Sequence, residues 1–182
     1  MPRERGAMIA RAAACAAAMT TLAACYNAPE PGGAGAMGPS ALAGAPSQSF
    51  DVARIDGRTD SLARHRGRVV LMNLWATWCP PCEAEMPALQ RFAREYAGRV
   101  DVLGVDQGES VAKASAYARA HGVTFPVLVD ESQQYGRTYE GLGLPTSVIV
   151  ARDGRVVRGI DGAMTIEQMR AAVAPALAAA SR

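Results

Sequence analysis

Residues 68–82 read RVVLMNLWATWCPPC and join an apolar run to two cysteines, Cys79 and Cys82. Residues 68–75 are almost continuously apolar, which predicts a central strand covered on both faces. The pattern after them predicts a helix over residues 79–96, with Leu89, Phe92 and Ala93 on its buried side. The stretch therefore predicts a strand followed directly by a helix, with both cysteines at the junction.

Further strand and helix patterns follow along the chain. Strands are expected over residues 100–105, 125–129, 147–151 and 156–160, helices over residues 111–121 and 165–180, and an edge strand or hairpin over residues 50–55. The sequence Arg-Asp-Gly-Arg at residues 152–155 is typical of a tight hairpin turn. Strands that alternate with helices and end in a hairpin predict an α/β fold, in which a central mixed sheet is flanked by helices.

The spacing of the two cysteines suits thiol–disulfide exchange. Cys79 would lie at a helix N-terminus, where unpaired amides and the helix dipole favour a thiolate, so it is the expected nucleophile. Cys82, one turn later and more buried, could attack the resulting mixed disulfide. Pro80 and Pro81 remove backbone donors that a first helical turn leaves unpaired anyway. We expect a redox-active Cys79–Cys82 disulfide and no other cofactor.

Metal binding is the main alternative for a Cys-x-x-Cys pair. A zinc site would need further ligands, but the sequence has no second pair of this kind, and His65 and His121 are isolated. We therefore expect no metal site. Binding of Cu(I) stays open, because soft thiolates suit that ion.

Two motifs carry a resemblance to a known family. Residues 73–82 resemble the active site of the thioredoxin fold, and residues 143–146, Gly-Leu-Pro-Thr, resemble its cis-proline loop. From about Phe50 to the C-terminus, the chain is similar to membrane-anchored thioredoxin-like proteins of the TlpA/ResA type, which have a redoxin or AhpC/TSA-like domain. The resemblance implies a thioredoxin fold with a strand–helix element inserted between the active-site helix and the cis-proline strand, for which residues 100–129 provide room.

The resemblance also implies roles for residues around the cysteines. The expected substrate-binding residues are Trp78, Pro80, Pro81, Leu144 and Pro145. A cis bond before Pro145 would leave backbone groups free for strand-like docking of a client peptide, whereas the alternative is an ordinary trans proline.

An acidic residue on the active-site helix also matches the family pattern. Asn73 stands where cytoplasmic thioredoxin has a buried aspartate, so another group must accept a proton from Cys82. Glu85 matches the acidic residue of ResA-like proteins and is the third expected catalytic residue, beside Cys79 and Cys82. The alternative is a solvated surface glutamate, as we expect for Glu83.

The N-terminal residues resemble an export signal. Residues 1–24 contain an arginine-rich start and a short apolar stretch, and residues 22–25, Leu-Ala-Ala-Cys, resemble a bacterial lipobox. Cys25 would then carry lipid, although an ordinary signal peptide with an incidental cysteine is the alternative. Residues 25–49 are rich in Gly, Ala, Pro and Ser, which predicts a flexible tether, and residues 50–182 would form one domain.

Charge and family pattern limit the partners that we expect. With 19 basic and 17 acidic residues, no strong field favours nucleic acid. The resemblance implies a monomeric, lipid-anchored periplasmic thiol–disulfide oxidoreductase that is recharged by a membrane electron donor. It would reduce cysteine pairs in client proteins, such as those of cytochrome c or oxidase copper-centre assembly. A disulfide oxidase or isomerase and a non-enzymatic copper chaperone are the alternatives. Peroxidase activity is not expected, because Met72 stands where the Pro-x-x-x-Thr-x-x-Cys setting of a peroxidatic cysteine at Cys79 would need proline.

Overall fold

The structure is a computed structural model and describes residues 42–139 and 143–179. The predicted signal segment, Cys25 and the tether up to residue 41 lie outside the described residues. Within the described part, no helix combines the length and the apolar composition needed to span a bilayer.

Seven strands form one mixed sheet. They are β1 (Val52–Arg54), β2 (Thr59–Asp60), β3 (Val69–Trp75), β4 (Val100–Gln107), β5 (Val127–Asp130), β6 (Thr146–Val150) and β7 (Val156–Asp161). Their order in the sheet is β2-β1-β5-β4-β3-β6-β7. Strands β3, β4 and β5 are parallel, whereas β1, β2, β6 and β7 pair in antiparallel fashion. The predicted mixed sheet is confirmed. The strand expected within residues 50–55 is β1, and β2, which lies beyond those bounds, pairs with it and forms the edge of the sheet.

Four α-helices accompany the sheet in the described residues. They are α1 (Pro80–Glu95), α2 (Val111–Ala120), α3 (Gln134–Tyr139) and α4 (Ile166–Ala179), and a short 3-10 helix covers Leu62–His65. Between α1 and β6 the chain makes two strand–helix units, β4–α2 and β5–α3, so the expected inserted unit is present. Thr165 caps α4 as a capping box, because its hydroxyl accepts from the Gln168 amide while the Gln168 side chain accepts from the Thr165 amide.

The central strand β3 separates two apolar clusters, and every one of its residues is buried. Leu71 and Trp75 pack on one side with Leu89 and Phe92 of α1 and with residues of α4. Met72 and Leu74 pack on the other side with the tyrosines of α3. Because each fully buried large apolar side chain contributes roughly 1.5–3 kcal/mol, these clusters hold β3 and the start of α1 rigidly in place.

The N-terminal boundary of the domain differs from the prediction. The Gly44 amide donates to the Val156 carbonyl at 2.8 Å, and the Val156 amide donates to the Ala45 carbonyl at 2.9 Å. The Tyr139 hydroxyl donates to the Gln48 carbonyl at 2.6 Å. Residues 42–49 therefore belong to the folded domain instead of a free tether. Their composition misled the prediction because they are fixed by backbone hydrogen bonds more than by apolar side chains.

Candidate active site

The two cysteines meet at the start of α1, directly after β3. They form a disulfide with a Cα–Cα distance of 5.3 Å, so the structure represents the oxidised protein. Cys79 is the N-cap residue, and its sulfur accepts a hydrogen bond from the Cys82 amide at 3.2 Å. The same amide and the helix dipole would stabilise a thiolate on Cys79 after reduction. Cys79 is 4% exposed and Cys82 is 1% exposed, so the small remaining access lies at Cys79.

The residues beside the cysteines separate into an exposed and a buried group. Pro80 and Pro81 occupy the first turn of α1 and are exposed. Trp78 is 64% exposed and is the one large hydrophobic side chain exposed within the described residues. Trp75 is fully buried and packs on Tyr117 of α2, with ring centroids 5.0 Å apart. Of the two tryptophans, Trp78 is the one that a partner could contact.

Glu85 is buried one turn after Cys82. It is 3% exposed, and one carboxylate oxygen accepts from the Asn73 side-chain amide at 3.1 Å. The other oxygen accepts from the Met164 backbone amide at 3.0 Å. Burial raises the pKa of Glu85 to about 7, although both hydrogen bonds act in the opposite direction. Glu85 is thus not a solvated surface glutamate, whereas Glu83 is exposed as expected.

Asn73 links Glu85 to the cis-proline strand. Its side-chain amide also donates to the Ser147 hydroxyl at 3.0 Å, and Asn73 and Ser147 are opposite each other in β3 and β6. The two N–H donors favour the charged form of the Glu85 carboxyl, whereas burial favours its neutral form, so the two effects oppose each other. The arrangement therefore suits a group that exchanges protons inside the protein.

The proline loop lies at the start of β6. The Leu144–Pro145 peptide bond is cis, as the resemblance implied. The Pro145 carbonyl accepts from the Gly162 amide at 2.8 Å, which ties the loop to the segment after β7. Leu144 is half-buried, and it lines a cavity of about 190 Å³ together with Trp78, Leu74 and Gln107. The structure thus brings Trp78 and Leu144 to one cavity.

A second buried acidic pair lies behind the segment that leads to Cys79. The Glu109 carboxylate accepts from the Thr77 amide at 2.6 Å and from the Thr77 hydroxyl at 2.8 Å. Asp106, at the end of β4, is fully buried. We did not select these residues from the sequence. The available signal was an aspartate that continues the apolar run of residues 102–105, where a charged residue needs a compensating partner.

No group of three or more His, Cys, Asp or Glu side chains that could hold a metal ion occurs within residues 42–139 and 143–179. Thiol–disulfide exchange needs the cysteine pair itself and a route for protons.

Comparison with known proteins agrees with this geometry. The AhpC/TSA family matches residues 43–158. The thiol-disulfide oxidoreductase ResA of Geobacillus thermodenitrificans is 35% identical over 129 residues, which cover 70% of this chain and 74% of that protein.

Two solved structures extend the comparison. A putative thiol:disulfide interchange protein DsbE from Chlorobium tepidum superposes with a TM-score of 0.69 at 26% identity, covering 74% of this chain and 97% of that chain. The pneumococcal exposed lipoprotein thioredoxin Etrx1 of Streptococcus pneumoniae superposes with a TM-score of 0.61 at 27% identity, covering 69% and 98%. The chain therefore belongs to the AhpC/TSA family and is a thioredoxin-fold thiol–disulfide oxidoreductase of the ResA type.

Proposed function

We propose that this protein reduces disulfides in client proteins outside the cytoplasm. The Cys79 thiolate attacks one sulfur of the client disulfide, which forms a mixed disulfide and releases one client thiolate. The Cys82 thiol then loses its proton and attacks the Cys79 sulfur, which releases the second client thiolate and forms the Cys79–Cys82 disulfide. The client gains two electrons and the protein loses two.

Glu85 is the proposed proton acceptor for Cys82, directly or through a water molecule. The observation that carries this proposal is its position, buried one helical turn after Cys82 and held by Asn73 and Met164. A general base works best when its pKa is near the working pH, and burial raises the pKa of Glu85 to about 7. The proton that Glu85 receives leaves in the next cycle, when the disulfide is reduced again.

Client binding is proposed around Trp78, Pro80, Pro81, Leu144 and Pro145. Trp78, Pro80 and Pro81 are exposed, Leu144 is half-buried and shares a cavity with Trp78, and Pro145, which follows Leu144 in the chain, is buried. An extended client segment could pair with the backbone of Leu144, so that its disulfide faces Cys79.

The resemblance to the TlpA/ResA type supports the proposed direction of exchange and the proposed clients. We propose that the clients are apocytochrome c or copper-delivery proteins of oxidase assembly, and that a membrane electron donor restores the two thiols.

Cys25 would hold the protein to the membrane, and a similar protein, Etrx1, is named an exposed lipoprotein. A Cys25→Ala variant should leave the membrane fraction, and its retention there would contradict the anchor.

The role of Glu85 can be tested with Glu85→Gln and the matched control Glu83→Gln, since Glu83 is exposed on the same helix. In single-turnover reduction of a peptide disulfide, the resolution step of Glu85→Gln should be about 100-fold slower at pH 7. Its pH dependence should also lose the ionisation near the pKa of Glu85. Equal rates in both variants would contradict the role.

The direction of exchange can be tested by the reduction potential of the Cys79–Cys82 couple. A reductant should equilibrate at a potential near that of thioredoxin, about −270 mV, whereas a strong oxidant lies near −120 mV. A value near the second figure would favour the oxidase alternative.

A further inference from the structure

Asp106 and Glu109 form a buried acidic pair beneath the turn that presents Cys79. Glu109 holds the Thr77 amide and hydroxyl, and its other close partner is the Lys113 ammonium at 2.5 Å. Thr77 lies inside the turn closed by the hydrogen bond from the Cys79 amide to the Ala76 carbonyl, at 3.2 Å. Glu109 is therefore bonded to the middle of the turn from which Cys79 acts.

Asp106 has no comparable partner. No side-chain donor reaches either oxygen of its carboxyl among the described residues, and the side chain is shielded from water. The Glu109 backbone amide acts to lower its pKa, but it does not make a well-formed hydrogen bond with the carboxyl. Its neighbour is the Glu109 carboxylate, another hydrogen-bond acceptor. Two buried carboxyl groups that interact directly cannot both be ionised without strong repulsion, so the pair holds one proton.

The proton resides on Asp106. Burial, together with the contact with Glu109, raises the pKa of Asp106 to about 8. Burial also raises the pKa of Glu109, but its bonds with Lys113, Thr77 and Asp106 outweigh that effect and lower the pKa to about 2. Near neutral pH, Asp106 is thus a neutral acid that donates a hydrogen bond to the Glu109 carboxylate.

We propose that Asp106 is a positioning residue for Cys79: its proton bridges to Glu109, keeps Glu109 bonded to Thr77, and so fixes the turn from which Cys79 attacks. Loss of that proton places two adjacent negative charges behind the turn. Glu109 is then repelled from Asp106, and the Thr77 contacts weaken. The inference rests on the proposed role of Cys79 as the attacking thiolate, and it is independent of the client and of the direction of exchange.

Few other charges act on the pair. From the start of α2, Lys113 faces Glu109, and Tyr117 packs on the indole of Trp75. The backbone neighbours of Asp106 in the sheet are Trp75 of β3 and Val129 of β5, which do not ionise. From α1, Glu83 acts on Tyr117 through space. A titration of the pair above neutral pH therefore reports mainly on Asp106.

The test compares the full chain with its Asp106→Asn variant. Asparagine keeps a donor toward Glu109 but cannot ionise, so the bridge persists at high pH. The rate of attack by the reduced protein on a small aromatic disulfide is measured from pH 6 to pH 9.5. The thiolate fraction of Cys79 rises with pH in both proteins. The ratio of variant to wild-type rates therefore isolates the effect of the Asp106–Glu109 pair on the rate of attack. We expect this ratio to rise about tenfold between pH 7 and pH 9.5, as the wild-type turn loses its support.

A second measurement follows the ionisation of Asp106 directly in the wild-type protein, and it uses the variant only to assign the resonance. In wild-type protein labelled with 13C at the aspartate carboxyl carbons, the Asp106 resonance, identified by its loss in Asp106→Asn, should titrate above pH 7. The label excludes Glu85 and Glu109, so their titration is not confused with that of Asp106. A flat rate ratio, or an Asp106 resonance already ionised at pH 6, would overturn the inference. Attack that persists in Cys79→Ser would instead overturn the proposed function.

Discussion

At the residue scale, Glu85 shows how a carboxyl group is adapted to an interior site. Burial disfavours its charge, whereas Asn73 and the Met164 amide favour it, and the balance places its pKa at about 7. Cytoplasmic thioredoxin, which the chain resembles, has a buried aspartate at the position where this chain has Asn73 on the central strand. Here the buried acid lies on the helix that carries Cys82, and Asn73 donates a hydrogen bond to it.

The raised pKa of Glu85 predicts a stability difference that depends on pH. In the unfolded chain Glu85 has the ordinary glutamate pKa of 4.5, whereas burial raises its pKa in the folded protein to about 7. Below pH 4.5 Glu85 is protonated in both the folded and the unfolded state, so its ionisation does not change the free energy of unfolding. Between pH 4.5 and pH 7 ionisation favours the unfolded chain, and above pH 7 the free energy of unfolding is lowered by the full amount of about 3 kcal/mol.

In urea unfolding of the oxidised protein, Glu85→Gln should therefore gain about 3 kcal/mol relative to wild type between pH 4.5 and pH 8. Glu83→Gln serves as the control and should show no such trend, because Glu83 is exposed. A difference between Glu85→Gln and wild type that stays constant over this range would contradict the raised pKa.

At the element scale, β4 carries Gly104 because neighbouring aromatic rings occupy the space of a side chain. A Cβ at this position would lie 2.8 Å from the ring of Phe125 and 3.1 Å from the indole nitrogen of Trp75. Trp75 ends the strand that leads to the cysteines, so Gly104 leaves room for its ring beside β4.

Gly104→Ala should lower the free energy of unfolding by about 1–3 kcal/mol through overpacking, as measured by urea unfolding. Phe125→Leu in the same chain should recover part of this loss, because the nearest ring atom is then removed. Strictly additive effects of the two substitutions would show that the ring contact is not the cause.

Local elements were predictable, whereas contacts between distant parts of the chain were not. The apolar run of residues 68–75 and the cysteine pair predicted β3 and α1 because their patterns are contained within the elements themselves. The burial of Glu85 depends on Met164, 79 residues away, and the role of Glu109 depends on Thr77, 32 residues away. Spacing along one helix or strand contains no information about such pairs.

At the scale of the whole molecule, the domain begins earlier than its composition indicates. Residues 42–49 look like a linker, but they bond to the β6–β7 hairpin and to Tyr139 of α3. A chain that starts at residue 50 should therefore be less stable by roughly 2 kcal/mol than one that starts at residue 42, since several backbone hydrogen bonds are lost. Thermal unfolding of the two oxidised chains measures this difference, and equal midpoints would contradict the boundary.

The central claim is that Cys79 attacks a client disulfide and that Cys82 then releases the client. A Cys82→Ser variant should accumulate a mixed disulfide with its client, detected on a nonreducing gel and mapped by mass spectrometry to Cys79. Cys79→Ser should form no such adduct. An adduct that forms equally in Cys79→Ser, or none in Cys82→Ser with a peptide disulfide that the wild type reduces, would contradict the account.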